Sequence, residues 1–434
     1  MKVALPFRAK FRQADLSPFV ALSNAVLTAI GVFVAAHNGM FADIAGYSAG
    51  VGVVAIAAVL ACGGTTLSFV TGTAAVQGAV RHVRARVVSP VLIATSVLAA
   101  VIYALTTGLT WHSVLLGGLT VTCTNLVEIE SAELQRDERI VRWAVVLLGS
   151  RTIAISTIVL GAPFSLAMFL SAVLTLSGAY LSVRGKRDPL TKRSPLKESV
   201  RLAFQAQLVS LTALDVFINR TPFILAPIVF SPAIAGALAV LLSAQQSATA
   251  LVTSGLYTSM TIRAKNRAFE EVQGRMKSLE IRLIVISFVL AGCAIAATPL
   301  VIRIMNLVQF PWAAISWVLL AAAIPVVAIN RTRQYTLLSF SHVVAARNVG
   351  LAIAFPALAV FLTATLLKSP IAFASVSVLS ELTAVIYIRL RTGPLHSHLE
   401  IPVMSSVVPP RPSVVVATEV LGCHRHSSRV DGEQ

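Results

Sequence analysis

The chain has 434 residues, of which 56% are hydrophobic and only 12% charged, with a formal net charge of +17 and a mean hydropathy of +0.82. That composition excludes an ordinary soluble domain of this size. The surplus lies in repeated apolar stretches of about 20 residues, the length an α-helix needs to cross the hydrocarbon core.

Taken in chain order, these stretches predict twelve transmembrane helices. They are 18–37, 43–70, 88–109, 112–130, 143–161, 163–183, 202–229, 233–260, 283–304, 311–330, 349–367 and 370–389. The fold class read from them is an all-α polytopic membrane protein. The basic start followed by the apolar run Pro18–Ala36 could be mistaken for a signal peptide. It is longer than a signal h-region of about 7–15 residues, so it reads as the first retained helix.

Charge asymmetry supports the count. With the N-terminus inside, every one of the 35 basic residues falls in an inner segment except Arg303 and Lys368, outside, and Arg151 and Arg220, within spans. This split follows the positive-inside rule and places both termini in the cytoplasm. It also explains the positive charge without nucleic acid, since no aromatic-interleaved basic domain exists. The outer loops are short. The polar, basic inner loop 184–200 divides six helices from six.

That division gives an N-terminal lobe at 1–183, a linker at 184–200, a C-terminal lobe at 201–391 and a disordered cytoplasmic tail at 392–434. Ile44-Ala45-Gly46 lines up with Ile234-Ala235-Gly236, and Pro163 with Pro370, at the same place in each half. An even number of helices per half gives both halves the same orientation, a repeat type found in transporters.

Several polar residues stand out within the spans. In "LTALDVFINRTPFILAPIVF", residues 211–230, Asp215 and Arg220 sit inside an apolar run. Each costs roughly 2.5–3.5 kcal/mol at a helix centre. Five residues on a helix separate them by about 140°, and good ion-pair spacings are three and four. Arg220 therefore needs a partner outside its own helix: an anion in a cavity, or a residue of another helix. Pro222 and Pro227 predict a bend just beyond it. Arg151 reads either as a cavity cation or as a side chain snorkelling to the inner interface. Glu381 reads as a coupling-proton acceptor or an ion-pair partner. Gln205, Gln207, Gln245 and Gln246 read as sugar-hydroxyl ligands or as interhelical hydrogen-bond formers. Asp43 reads as an outer interface residue, and His37 likewise. Glu128, Glu130, Glu133, Asp137 and Glu138, beside Arg136, Arg139 and Arg142, read as a solvated, ion-paired helix end.

The four cysteines, Cys62, Cys123, Cys293 and Cys423, form no C-x-x-C pair, so neither disulfides nor a metal site is predicted. Cys423, His424 and His426 read as part of a polar tail. "GxxxxGK[ST]" does not occur, which excludes a P-loop. No enzyme motif and no cofactor site is legible. A facilitator-type solute carrier would carry an acidic residue in its second inner loop, where "GAVRHVRAR" has none.

Three stretches carry a resemblance. "LACGGTTLSFVTG" in the second helix, "SAELQRDERIVRWAVVLLGS" leading into the fifth, and "DVFINRTPFILAPIVFSPAIAGALAVLLSAQQSATALVTSGLYTSMTIRAK" in the seventh and eighth are similar to lipid-linked oligosaccharide flippases. Those proteins belong to the multidrug/oligosaccharidyl-lipid/polysaccharide (MOP) superfamily. The resemblance implies two six-helix lobes around a central cavity in a bacterial plasma membrane. It implies a polyprenyl-diphosphate-linked glycan as cargo, with glycosyltransferases or a glycan polymerase as partners. Arg220, with Arg151, would meet the diphosphate. Asp215, Asn219, Glu381, Gln245, Gln246 and Asn24 become candidates for substrate binding or coupling. The first two helices offer Asn24, His37 and Asp43 but no Arg or Lys, a departure from some relatives. An ion-coupled exporter of the same superfamily and a non-transporting scaffold of polysaccharide assembly are the alternative readings.

Overall fold

The computed structural model describes residues 17–62, 74–136, 140–183, 206–264, 269–339 and 343–392. They form α1 (Ser17–His37), α2 (Phe41–Cys62), α3 (Ala74–Val83), a π turn (Arg84–Val88), α4 (Ser89–Thr107), α5 (Trp111–Arg136), α6 (Ile140–Val159) and α7 (Phe164–Val183). Then come α8 (Ala206–Val229), α9 (Pro232–Ala264), α10 (Phe269–Ala296), α11 (Thr298–Ile304), α12 (Ala313–Ser339), α13 (Val343–Leu367) and α14 (Pro370–Thr392). The chain divides into Met1–Tyr387 and Ile388–Gln434. Of the second unit only 388–392 are described; the predicted tail at 392–434, apart from Thr392 at the end of α14, and the linker at 184–200 lie outside the described residues.

Every predicted span has a helical counterpart. Among the described residues, eight helices are long and apolar enough to cross a membrane, and nine if α10 and α11, bent by 65°, form one span. α1 and α8 contribute shorter apolar stretches, Leu22–His37 and Val216–Val229. α5 is mixed in character, with Thr120, Thr122, Thr124, Asn125, Glu128 and Glu130 from its middle toward its inner end.

The third span departs from the prediction. It runs Gln77–Thr107 rather than 88–109, so Arg81, Arg84 and Arg86 belong to a helix and not to a loop. Arg84 sits on the π turn, only 2% exposed. Its guanidinium donates to the Asn125 carbonyl and lies 3.2 Å from Glu128. A buried guanidinium needs such acceptors, and they hold the π turn against α5. Glu128 is thus ion-paired and 55% exposed, as expected. Glu130 is 8% exposed and does not belong to a solvated helix end.

Below, "outer" means the side to which the charge count assigns the short loops. The outer turn between α1 and α2 closes on Gly39 at φ 74°. At the outer end α2 meets the later helices. A methyl on Gly236 of α9 would lie 1.9 Å from the Phe41 carbonyl oxygen. Phe41 also stacks edge-on against Phe310 at 5.5 Å, and His37 Nδ1 contacts the Ile304 carbonyl at 3.1 Å. Deeper, Gly52 of α2 lies against Ile224 and the Arg220 carbonyl of α8, and the Tyr103 hydroxyl of α4 donates to the Ile224 carbonyl at 2.8 Å. Within the first six spans, Gly50 of α2 sits against the Val114 carbonyl of α5, 1.9 Å from where a methyl would lie. Gly46 and Gly236, aligned in the sequence repeat, thus meet different partners: Ser113 of α5 for one, Phe41 of α2 for the other.

Asp43 ties three helices together. It accepts from the Ser113 hydroxyl of α5, from the Ser165 hydroxyl at 2.7 Å and from the Ser165 backbone N–H at 2.8 Å. The last bond satisfies one of the orphan donors at the start of α7. Asp43→Ala is expected to cost about 1.5–3 kcal/mol, since hydrogen bonds to a charged group are lost together with a cap. Thermal unfolding of the purified protein in detergent measures it.

Candidate functional site

Five of the predicted residues line one cavity. Its volume is about 210 Å³, and Asn219, Arg220, Gln245, Gln246, Arg331 and Glu381 contribute its polar wall. α8 supplies the first two, α9 the glutamines, α12 Arg331 and α14 Glu381.

The local physics explains each placement. Pro222 has no N–H to give the Ile218 carbonyl, so α8 is loosened beside Arg220. One position on, Gln246 Nε2 donates to the Asn219 carbonyl at 3.1 Å. That bond links α8 and α9 through Gln246, which also lines the cavity. Arg220 lies over the Phe223 ring, 5.9 Å from its centroid, a cation–π contact. Glu381 is 4% exposed. Its carboxylate accepts from Asn330 Nδ2 at 2.7 Å, and its backbone carbonyl accepts from the same nitrogen at 2.9 Å. Asn330 is itself fully buried. Arg331 donates to Gln334 Oε1 at 3.0 Å.

Arg151 and Asn24 stand elsewhere in the body and pair with each other. Arg151 Nε donates to Asn24 Oδ1 at 3.2 Å, and Nη1 lies 3.9 Å from the Met168 sulfur. Arg151 is eleven residues past the start of α6 at Ile140, about 16 Å along the axis. It is therefore at mid-span, and its side chain is held by α1 and α7 rather than reaching for the inner interface. The side chain of Asp215 lies outside the described residues, as do those of Gln205 and Gln207.

Arg331 was missed in the sequence reading because it was counted with the inner basic residues. α12 continues past the apolar run to Ser339 and carries Arg331 to the cavity wall. A signal was available. Ile218-Asn219-Arg220-Thr221 recurs as Ile329-Asn330-Arg331-Thr332, and both arginines face the same space. Arg220 is nine residues from the outer end of α8, about 14 Å. Arg331 is eighteen from the outer end of α12, about 27 Å. The cavity thus has guanidinium groups at two depths, one carboxylate and a set of amides. Such a wall holds an anion by charge-assisted, forked hydrogen bonds. Among the described residues no group of three or more His, Cys, Asp or Glu is placed to hold a metal ion.

No family model matches the chain, and no curated protein does. Solved structures do. The lipid II flippase MurJ in an inward closed conformation aligns with a TM-score of 0.60 at 10% identity, over 87% of this chain and 86% of that one. The fold is that of the MOP superfamily. An inward-facing multidrug resistance MATE transporter aligns at 0.51 and 13% identity, over 88% and 96%. A MOP superfamily transporter from Pyrococcus furiosus, described as having a binding pocket of reversed polarity, aligns at 0.50 and 11%, over 88% and 96%. The MOP fold makes this chain a polytopic, all-α membrane protein.

Proposed function

We propose that the chain is a MOP-fold transporter that turns a polyprenyl-diphosphate-linked glycan from the inner to the outer leaflet of a bacterial plasma membrane. The observation that carries this reading is the pair of Ile-Asn-Arg-Thr segments, which point Arg220 and Arg331 into one cavity. A diphosphate is a lipid-headgroup chemistry that guanidinium groups lining one cavity would grip by forked hydrogen bonds. Asn219, Gln245 and Gln246 add amides for the sugar hydroxyls or the bridging oxygens. Two six-helix lobes, 1–183 and 201–391, would rock about the 184–200 linker. The close approach of α9 to α2 at Gly236 and Phe41, at the end the charge count assigns to the outside, supports entry of the headgroup from the inner side. Both termini would be cytoplasmic. Glycosyltransferases and a glycan polymerase would supply and consume the lipid.

A second reading, an ion-coupled exporter of small molecules, draws on Glu381, a buried carboxylate on the same wall. An exporter of cations would use that carboxylate, and the two arginines speak against it, since like charge in the cavity repels the cargo. A scaffold without transport would have no use for intramembrane charge. The test is transfer of a fluorescent polyprenyl-diphosphate glycan across proteoliposome membranes, read by quenching of the outer leaflet. Time-dependent flipping supports the proposal. No flipping of any such lipid, with uptake of organic cations instead, would replace it with the exporter.

A further inference from the structure

The ninth span ends in a strap rather than a straight helix. α10 stops at Ala296, the chain bends by 65°, and α11 runs on for seven residues from Thr298 to Ile304. The residues dictate the break. Pro299 has no N–H to give the Ile295 carbonyl, and the Thr298 hydroxyl donates to that carbonyl instead, at 2.6 Å. The Trp317 indole of α12 donates to the Ala294 carbonyl at 2.9 Å. Two of the carbonyls orphaned at the end of α10 thus have donors in the bent form. α11 stops as sharply as it starts. Asn306 takes a left-handed φ of 53°. Its N–H meets the Arg303 carbonyl at 3.2 Å, and the Leu307 N–H meets the Ile302 carbonyl at 2.8 Å. This is a Schellman closure, which asparagine tolerates at the left-handed position.

The strap holds on by its tip. No side chain of α11 is buried, whereas Met305 and Leu307, just beyond it, are 1% and 0% exposed. Both enter the cluster that contains Val32, Ala35 and Ala36 of α1 and Phe41 and Ile44 of α2. Two contacts already described reach the same helices: Phe310 on Phe41, and His37 on the Ile304 carbonyl. A carbonyl only accepts, so His37 donates through Nδ1–H. The strap belongs to the last six spans, and α1 and α2 to the first six. It therefore fastens one set to the other at the outer end.

Its other face suits lipid. Leu300 and Ile304, one turn apart on α11, and Val308 beyond them are all exposed. If lifted from α1 and α2, the strap keeps the backbone hydrogen bonds of α11 and offers the bilayer apolar side chains. An element with few buried side chains is the kind that opens locally while the rest of the fold stays intact.

We propose that residues 298–312 are an outer latch. Docked, the strap ties α10 and α12 to α1 and α2 and closes the outer side. Lifted about Ala297, it lets the two sets of helices part there. Its part in transport rests on the flippase reading, whereas the movement itself does not.

The test uses the full chain with its native cysteines replaced, in nanodiscs that leave both faces accessible. Leu307→Cys reports on the tip. Leu320→Cys, equally buried in the same cluster but on α12, reports on the body. A membrane-impermeant maleimide should label the tip at least about tenfold faster than the body. His37→Ala and Thr298→Val each remove one hydrogen bond of the latch, and each should speed tip labelling about fivefold with body labelling unchanged. Met305→Cys replaces Leu307→Cys as reporter if the latter does not fold. In proteoliposomes, His37→Cys with Ile304→Cys, joined by a short reducible bis-thiosulfonate linker, should slow flipping at least about tenfold, and reductant should restore it. Equal labelling of tip and body would overturn the latch. So would tip labelling unmoved by both His37→Ala and Thr298→Val, or flipping at full rate with the linker in place. Fast tip labelling in a protein that flips no lipid keeps the latch and removes the flippase. Flipping with equal labelling keeps the flippase and removes the latch.

Discussion

Arg220→Ala is expected to abolish flipping of a polyprenyl-diphosphate glycan in proteoliposomes while the protein still folds and inserts. Arg220 lines the cavity with Arg331 and stands at mid-span in α8, where in the proposed function it would face the charge of the headgroup. Truncating one member of a desolvated charge pair costs about 2–5 kcal/mol, which is roughly 30-fold to several thousand-fold in affinity. Arg220→Lys should recover part of the activity. An ammonium keeps the charge but not the planar fork that grips two phosphoryl oxygens at once. Flipping at the wild-type rate in the alanine variant would remove Arg220 from the site. A matching elution profile and melting curve for both variants show that the loss is of binding and not of fold.

Gly236→Ala should have the other large effect, on conformation. A single added carbon would lie 1.9 Å from the Phe41 carbonyl oxygen and 2.4 Å from its carbon. Both are backbone atoms, so no side chain can rotate aside. α9 must move away from α2 at the outer end. Overpacking of this kind costs about 1–3 kcal/mol, and about 1.4 kcal/mol shifts a two-state population tenfold. A cysteine at Ala45, which is 1% exposed, reports the change. Its labelling by a membrane-impermeant maleimide should rise about tenfold in Gly236→Ala, in a background lacking the native cysteines. Gly149→Ala is the control, because nothing stands within 4 Å of the added carbon. Equal labelling of the two variants would show that the Phe41–Gly236 contact does not seal the outer end.

Much of the fold was legible because lipid imposes so few solutions. Apolar stretches of the right length determine helix order. Boundaries failed where polar residues stay inside a helix. Arg84 was placed in a loop because a buried arginine looks like a loop arginine until Asn125 and Glu128 are seen beside it. Arg331 was assigned to the inner surface for the same reason: hydropathy falls before α12 ends. The site was legible in part. Arg220, Asn219, Gln245, Gln246 and Glu381 converge on one wall, and spacing had already turned Arg220 away from an intrahelical partner. Arg151 and Asn24 were picked out separately, but only the packing of α1 against α6 makes them a pair.

The Asp43 anchor also bears on how the protein is made. Its partners Ser113 and Ser165 follow it by 70 and 122 residues. During synthesis α2 enters the membrane well before α5 and α7 exist, so the carboxylate must wait. At the centre of the span that delay would cost about 2.5–3.5 kcal/mol. Asp43 is the third residue of α2, so it waits at the aqueous rim, where the penalty is small. The knot that fastens three helices is tied at the surface, by the last of them to arrive.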